Sequence, residues 1–266
     1  MLPCFLAPYS LLLTSYSLSD MELRYRATVE YDGTDFLGFQ IQARGRTVQG
    51  ELERAIERVT QSQVRVMGAG RTDSGVHASG QVIAFDVAWG HTTPDLHRAL
   101  NAVLPVDIAI SALTTTHFTF HPRFDAIRRH YRYTILNQPA RSPLWARYAH
   151  HVAEPLDVDA MREAGRKFIG RHDFAAFGKP TQGESTIREV MQAEWFAEAP
   201  RLTFEITANA FLYQMVRNVA GTLLRVGRGE LTSDAVAALL ESGDRAAAGP
   251  PAPARGLCLV GVEYAE

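Results

Sequence analysis

Gly68-Ala69-Gly70-Arg71-Thr72-Asp73-Ser74-Gly75-Val76-His77 is the stretch on which the reading of this chain turns. Its closely spaced glycines allow tight turns and close approach of backbone to a ligand. Arg71 and Asp73 sit between them. The apolar run Val64-Arg65-Val66-Met67 leads in, and Gln81-Val82-Ile83-Ala84-Phe85 leads out, both with the look of strands. A charged, flexible loop held between strands is a common seat of function. A dinucleotide fingerprint is excluded, because it needs glycine where Asp73 stands and a helix afterwards. A phosphate-binding P-loop is excluded, because Val76-His77 follows Gly75 in place of Lys and Ser/Thr. A plain turn, in which Asp73 and Ser74 only satisfy backbone amides, is the remaining alternative.

Working outward, the elements follow a rhythm. Leu23, Tyr25, Ala27, Val29 and Tyr31 alternate as a strand that ends at Asp32-Gly33. Val48, Leu52, Ile56 and Val59 mark a helix face with Thr47 as its N-cap. Strands are expected over 64–67 and about 80–87, on either side of the glycine loop. Thr93-Pro94 opens a helix in N-cap/N1 order, and Val106, Ile108 and Ile110 form a further strand. The second half repeats this order. A strand runs from His130 to Leu136, and Asp157 caps a helix that Gly170 stops. Strands follow near 186–197 and 201–208, helices at about 210–226 and 233–241, and a last strand from Leu257 to Tyr264. Each half therefore reads as a β-α-β-β-α-β, ferredoxin-like unit. The fold class is α+β: two such halves form a broad mixed, largely antiparallel sheet with a central cleft. The halves are 21–118 and 119–266. Residues 1–20 are apolar, lack a basic residue and contain Pro3 and Pro8. They fit neither a secretory signal nor a membrane span, so Met21 is expected to be the true start and the leader to be mis-called or disordered.

Composition is that of an ordinary soluble globular protein, and the net charge of −2 announces no nucleic acid. Of 27 basic residues only Lys167 and Lys179 are lysines. Guanidinium groups suit bidentate phosphate contacts and stack on flat rings. Between His121 and Arg147 lie Arg123, Arg128, Arg129, Arg132, Arg141 and Arg147 against the single acid Asp125, interleaved with Tyr131, Tyr133 and Trp145. Basic residues mixed with aromatics fit an RNA-binding surface; a solvated basic face is the plainer reading. Cys4 and Cys258 give no disulfide framework, which suits a reducing cytoplasm. His150-His151 reads as ordinary surface rather than as a ligand pair.

Two residues of the second half are candidates for partners of Asp73. Arg217 lies in the apolar run Ala210-Phe211-Leu212-Tyr213-Gln214-Met215-Val216-Arg217-Asn218. A charge in a buried helix needs a partner, and Asp73 is the obvious one. Burial can raise a carboxylate pKa by about 3–5 units, whereas a nearby arginine lowers it by about 1–3. Pairing with Arg217 is thus expected to keep Asp73 ionised and aimed. Tyr131 shares a strand face with Tyr133 and Ile135. It is either core packing or a flat ring on which an extruded base stacks.

The loop, together with several further motifs, resembles the TruA family of tRNA pseudouridine synthases. The motifs are Tyr31-Asp32-Gly33-Thr34-Asp35-Phe36 with Gln40, Thr47-Val48-Gln49-Gly50-Glu51-Leu52-Glu53, Leu100-Asn101 with Leu104-Pro105, and Phe120-His121-Pro122-Arg123-Phe124. Gly170-Arg171-His172-Asp173-Phe174, Phe211 to Asn218, and Ala252 to Leu257 complete the set. The resemblance spans Met21 to the C-terminus and implies the pseudouridine synthase fold, two halves of the RRM-like kind. It implies conversion of uridine to pseudouridine in the tRNA anticodon stem-loop at positions 38 to 40, by a cytoplasmic homodimer without metal or organic cofactor. By motif, Asp73 is the nucleophile, Tyr131 the ring that meets the flipped uracil, and Arg217 the partner of Asp73. Arg71 helps displace the target base and Leu257 lines the pocket. Three positions depart from the family pattern: Phe39 in place of tryptophan, Ser74 in place of alanine, and Cys258 in place of an aromatic. The competing readings are a pseudouridine synthase of another RNA target, a non-catalytic RNA-binding protein of the same fold, and a nucleotide-phosphate binder using the glycine loop.

Overall fold

The computed structural model describes residues 21–180 and 183–265. The expectation of a mis-called or disordered leader falls on residues 1–20, outside the described residues. The first half runs β1 (Glu22–Tyr31), α1 (Val48–Thr60), β2 (Met67–Gly68), β3 (His77–Ala88), α2 (Thr93–Val103) and β4 (Ile108–Thr116). The second runs β5 (Ala126–Asn137), β6 (His150–Val152), α3 (Val158–Arg166), β7 (Gly170–Asp173), β8 (Ile187–Glu198), β9 (Arg201–Ala208), α4 (Met215–Gly227), α5 (Ser233–Ser242), α6 (Arg245–Ala248) and β10 (Leu257–Tyr264). The mixed α+β class holds, with ten strands in one sheet.

The strand order is β4-β1-β3-β10-β5-β9-β8-β7, with β2 on β3 and β6 on β5. Most pairs are antiparallel. The two halves meet where β10, the last strand of the chain, inserts between β3 and β5. It pairs antiparallel with β5 along most of its length. Its contact with β3 is parallel and short, Cys258 opposite His77 and Leu259 opposite Ala78. That seam lies directly after the glycine loop.

Alternation explains where the core sits. On β1, Tyr25, Ala27, Val29 and Tyr31 are buried while Arg24, Arg26 and Thr28 are partly open. The buried set packs with Leu52 and Ile56 of α1 and Leu96 and Leu100 of α2. The same apolar cluster continues through Tyr133 and Ile135 of β5, Trp195, Phe204, and Val219 and Leu223 of α4.

Several boundaries differ from the sequence pattern, each for a local reason. The run Val64-Arg65-Val66-Met67 is a strand only at Met67–Gly68. Both polar backbone groups of Val66 are taken by side chains of α1: its N–H donates to the Glu53 carboxylate at 3.0 Å, and its carbonyl accepts from the Gln49 amide at 3.0 Å. The α2 N-cap is Thr92, one residue before the expected Thr93, because Thr92 and Asp95 form a reciprocal capping box. Gly170 does not stop α3. The helix unwinds earlier through the i→i+3 bonds Phe168 N–H to Gly165 O and Ile169 N–H to Arg166 O, and Gly170 opens β7. The helix expected from about 210 starts at Met215. Asn209 holds the Ala210 N–H with its side chain at 2.7 Å, Tyr213 pairs with Lys179, and Gln214 turns the chain into the helix in left-handed backbone, so residues 210–214 stay outside it. The histidines His150 and His151 are half-buried in β6 rather than surface groups; burial pushes His150 down to about 4.

Thr47 caps α1 as expected, accepting from Gly50 N–H at 3.2 Å, and is 3 % exposed. Thr47→Ala is expected to cost about 1 kcal/mol. Urea unfolding checks this: the midpoint falls and the slope is unchanged.

Candidate active site

The glycine loop is clamped rather than free. Its carbonyl at Thr72 accepts from Phe39 N–H at 3.1 Å, and Phe36 O accepts from Gly75 N–H at 3.3 Å and from the Ser74 hydroxyl at 3.1 Å. Val76 N–H closes a turn on Asp73 O at 3.1 Å. Two glycines make this packing possible. Gly75 has φ +78°, left-handed backbone that a side chain disfavours. Gly38, at φ +97°, leans on the loop so closely that a Cβ would lie 2.6 Å from Thr72 O. After the loop, His77 is buried and bonded at both ring nitrogens. Nδ1 accepts from Gly33 N–H at 3.0 Å, and Nε2 lies 2.8 Å from Arg147 O and 3.2 Å from Arg255 O. One imidazole therefore joins the first half to two segments of the second.

Asp32 adds a further tie. Arg147 meets its carboxylate at 3.2 Å and the Tyr148 hydroxyl donates to it at 3.0 Å. Burial acts to raise its pKa, but the bonds from Thr34, Tyr148 and Arg147 outweigh burial and bring it down to about 2.

The clamped loop forms one wall of a cleft of about 500 Å³, well within the size of small-ligand sites. Asp73, Tyr131, Arg217, Arg71 and Leu257 all line it. Arg217 Nη1 lies 3.2 Å from Asp73 Oδ2, and both side chains are largely buried. Arg217 is itself fixed, because its Nε donates to Ala252 O at 2.8 Å while Ala252 N–H returns a bond to Arg217 O at 2.9 Å. Burial raises the Asp73 pKa above the ordinary aspartate value. The Arg217 hydrogen bond and charge oppose this without cancelling it.

Tyr131 is 8 % exposed, with the ring of Phe211 edge-on at 5.0 Å. Burial pushes its phenol far above the usual range, so the hydroxyl is neutral and available as a donor. Tyr133 is the core residue of this face; it is fully buried and donates to Pro253 O at 2.9 Å. Leu257 stands opposite Tyr133 across the β5–β10 ladder and is 5 % exposed.

Four arginines of the basic strip divide into two sets. Arg123 and Arg129 line the cleft. Arg128 and Arg132 take the other sheet face and pair with Glu263 at 3.3 Å and Glu205 at 2.7 Å. Arg129 is committed to backbone: it donates to the carbonyls of Asn209 at 2.7 Å, Arg123 at 2.5 Å and Ala126 at 3.0 Å. Arg188 of β8 also lines the cleft, and its buried Nε has no hydrogen-bond partner. Nothing in the sequence distinguished Arg188 from the other scattered arginines.

The sequence profile of a family described as tRNA pseudouridine synthase matches residues 27–125 and 164–265. A tRNA pseudouridine synthase A of Bacillus velezensis is 43 % identical over 245 residues, covering 91 % of this chain and 99 % of its own. The proteins of that name from Chloroflexus aurantiacus and Bacillus subtilis are 48 % and 42 % identical. Their alignments cover 88 % and 91 % of this chain, and 86 % and 99 % of theirs.

The charge balance at Asp73 is directly measurable. Its carboxyl ¹³C resonance is expected to titrate above the ordinary aspartate range, and Arg217→Gln moves the midpoint further up, because burial then acts unopposed. An unshifted midpoint in the variant would show that the pair carries no electrostatic weight.

Proposed function

The chain belongs to the tRNA pseudouridine synthase family, and on that premise we propose that it isomerises uridine to pseudouridine in the anticodon stem-loop of tRNA, at positions 38 to 40. The observation that carries this reading is the Asp73–Arg217 pair at 3.2 Å, set in a cleft beside the neutral, half-caged ring of Tyr131.

The net reaction breaks the N1–C1′ bond, forms a C5–C1′ bond and moves one proton from C5 to N1. Asp73 is the nucleophile, acting near the ribose carbon that changes partners. A carboxylate there can hold the sugar covalently or assist a glycal route, dividing one hard step into two. Arg217 keeps the carboxylate aimed and offsets part of the cost of burying its charge. Tyr131 offers its flat ring to the extruded base, with its hydroxyl near the reacting centre. Leu257 closes the apolar side, which keeps water from the open sugar. Extruding the base costs a few kcal/mol, and Arg71, at the mouth, fills the vacated stack. Arg123 and Arg188 face RNA phosphates along the cleft.

We assign residues 21–118 as the half that brings the nucleophile loop and 119–266 as the half that brings the tyrosine and the arginine. The protein acts in the cytoplasm as a homodimer. Among the described residues no helix is long and apolar enough to cross a membrane.

Pseudouridine mapping on unmodified tRNA transcripts tests the reading. Wild-type protein is expected to give product confined to the anticodon stem-loop. Asp73→Asn is expected to give none while still binding tRNA, with an affinity that falls steeply with added salt in both proteins. Product elsewhere in the tRNA would overturn the site assignment, and turnover by Asp73→Asn would overturn the nucleophile.

A further inference from the structure

The backbone that carries Arg71 and Asp73 is anchored from beneath by two buried polar side chains whose hydrogen bonds go to the residues flanking Arg71. Gln81, on β3, has no exposed surface. Its amide oxygen accepts from Gly70 N–H at 3.3 Å, and its amide nitrogen donates to Gly70 O at 2.8 Å. One side chain thus satisfies both polar groups of one loop residue, as a neighbouring strand would. The same amide nitrogen lies 3.5 Å from the Tyr31 hydroxyl. That hydroxyl is 2.8 Å from the Thr72 hydroxyl, and both residues are buried. The chain Gly70–Gln81–Tyr31–Thr72 therefore holds the residues on both sides of Arg71, the second of which immediately precedes Asp73. Gly70 also faces the chemistry, since a Cβ placed there would lie 3.8 Å from the Tyr131 hydroxyl.

Packing alone does not account for a glutamine at this place. It opens an otherwise apolar run, Val82-Ile83-Ala84-Phe85, where leucine or methionine fills similar space with no polar group to satisfy. A buried amide is costly unless bonded. Here its strongest bonds go to one residue of the nucleophile loop. Tyr31 is the same case on the next strand: its ring belongs to the apolar core, and its hydroxyl reaches the loop.

We propose that Gln81 and Tyr31 are positioning residues for the isomerisation, setting Arg71 and Asp73 through the loop backbone without touching substrate. The proposal rests on Asp73 being the nucleophile. Displacing a reacting group by about 1 Å can cost on the order of 100-fold in rate, so a loop freed at Gly70 and Thr72 loses rate rather than affinity.

The test is single-turnover kinetics with saturating protein on a tRNA transcript, beside tRNA binding and thermal unfolding, for Gln81→Met, Tyr31→Phe and the double variant. Gln81→Met is expected to slow the chemical step by roughly 10- to 100-fold, with tRNA affinity within about twofold and cooperative unfolding retained. Tyr31→Phe, which removes one hydroxyl, slows it by less. The double variant loses less than the product of the two, because both act on one loop. Unchanged rates in both single variants, or rate losses fully matched by lost affinity, would overturn the proposal. If Gln81→Met does not fold, the rate-against-affinity split in Tyr31→Phe decides. An inactive wild type would instead overturn the functional reading on which the proposal rests.

Discussion

A carboxylate, Asp73, stands where burial disfavours its charge, and much of the architecture around it bears on that conflict. Asp73 is largely enclosed, and Arg217 is the cation within reach at 3.2 Å. A buried ion pair repays its desolvation only when the geometry is good and the remaining donors are satisfied. Arg217 meets this condition in part through Ala252, whose carbonyl takes Nε and whose N–H fixes the Arg217 backbone. The balance is not complete, since the Asp73 pKa still lies above its ordinary value.

The pair also explains why the two halves must be locked together. Asp73 comes from the first half and Arg217 from the second, so any slip between halves breaks the pair. The parallel β3–β10 seam is only two residue pairs long, too little to fix register alone. His77, one residue pair along that seam, adds the missing constraint by bonding Gly33 on one side and the Arg147 and Arg255 carbonyls on the other. The Asp32 cluster repeats the tie at the outer edge. The glycine loop that carries Asp73 is therefore held within a joint rather than at the tip of a flexible loop.

Much of this was legible in the sequence. Alternation marked β1 and β5, Thr47 and Asp157 marked caps, and the buried arginine pointed to its partner across 144 positions. What the pattern hid has a common cause, namely side chains that substitute for backbone partners. Gln49 and Glu53 take the hydrogen bonds of Val66, so a run with strand composition is not a strand. Asn209 does the same at Ala210 and delays a helix by several residues. Gln81 and Tyr31 read as strand residues, and their role under the loop depends on a long-range geometry that no local period encodes. Arg188 carried no signal at all.

The charge of the molecule makes sense only at the scale of the cleft. A chain with net charge −2 gains little from its overall field in meeting a polyanion, because screening confines such attraction to about 8–10 Å. What matters is where the charges sit. Arg128 and Arg132 are paired with acids on the far face, and Arg147 is paired with Asp32. The cleft instead gathers Arg71, Arg123, Arg129, Arg188 and Arg217 against the single acid Asp73. Of these, Arg217 is held on Asp73 and Arg129 on backbone carbonyls. Guanidinium suits both tasks, since its fork can grip backbone or carboxylate with some donors and leave the rest toward the cavity. An ammonium, with one point of charge and no planar fork, could not do both, which gives a physical reason for arginine, and not lysine, at Arg129 and Arg217.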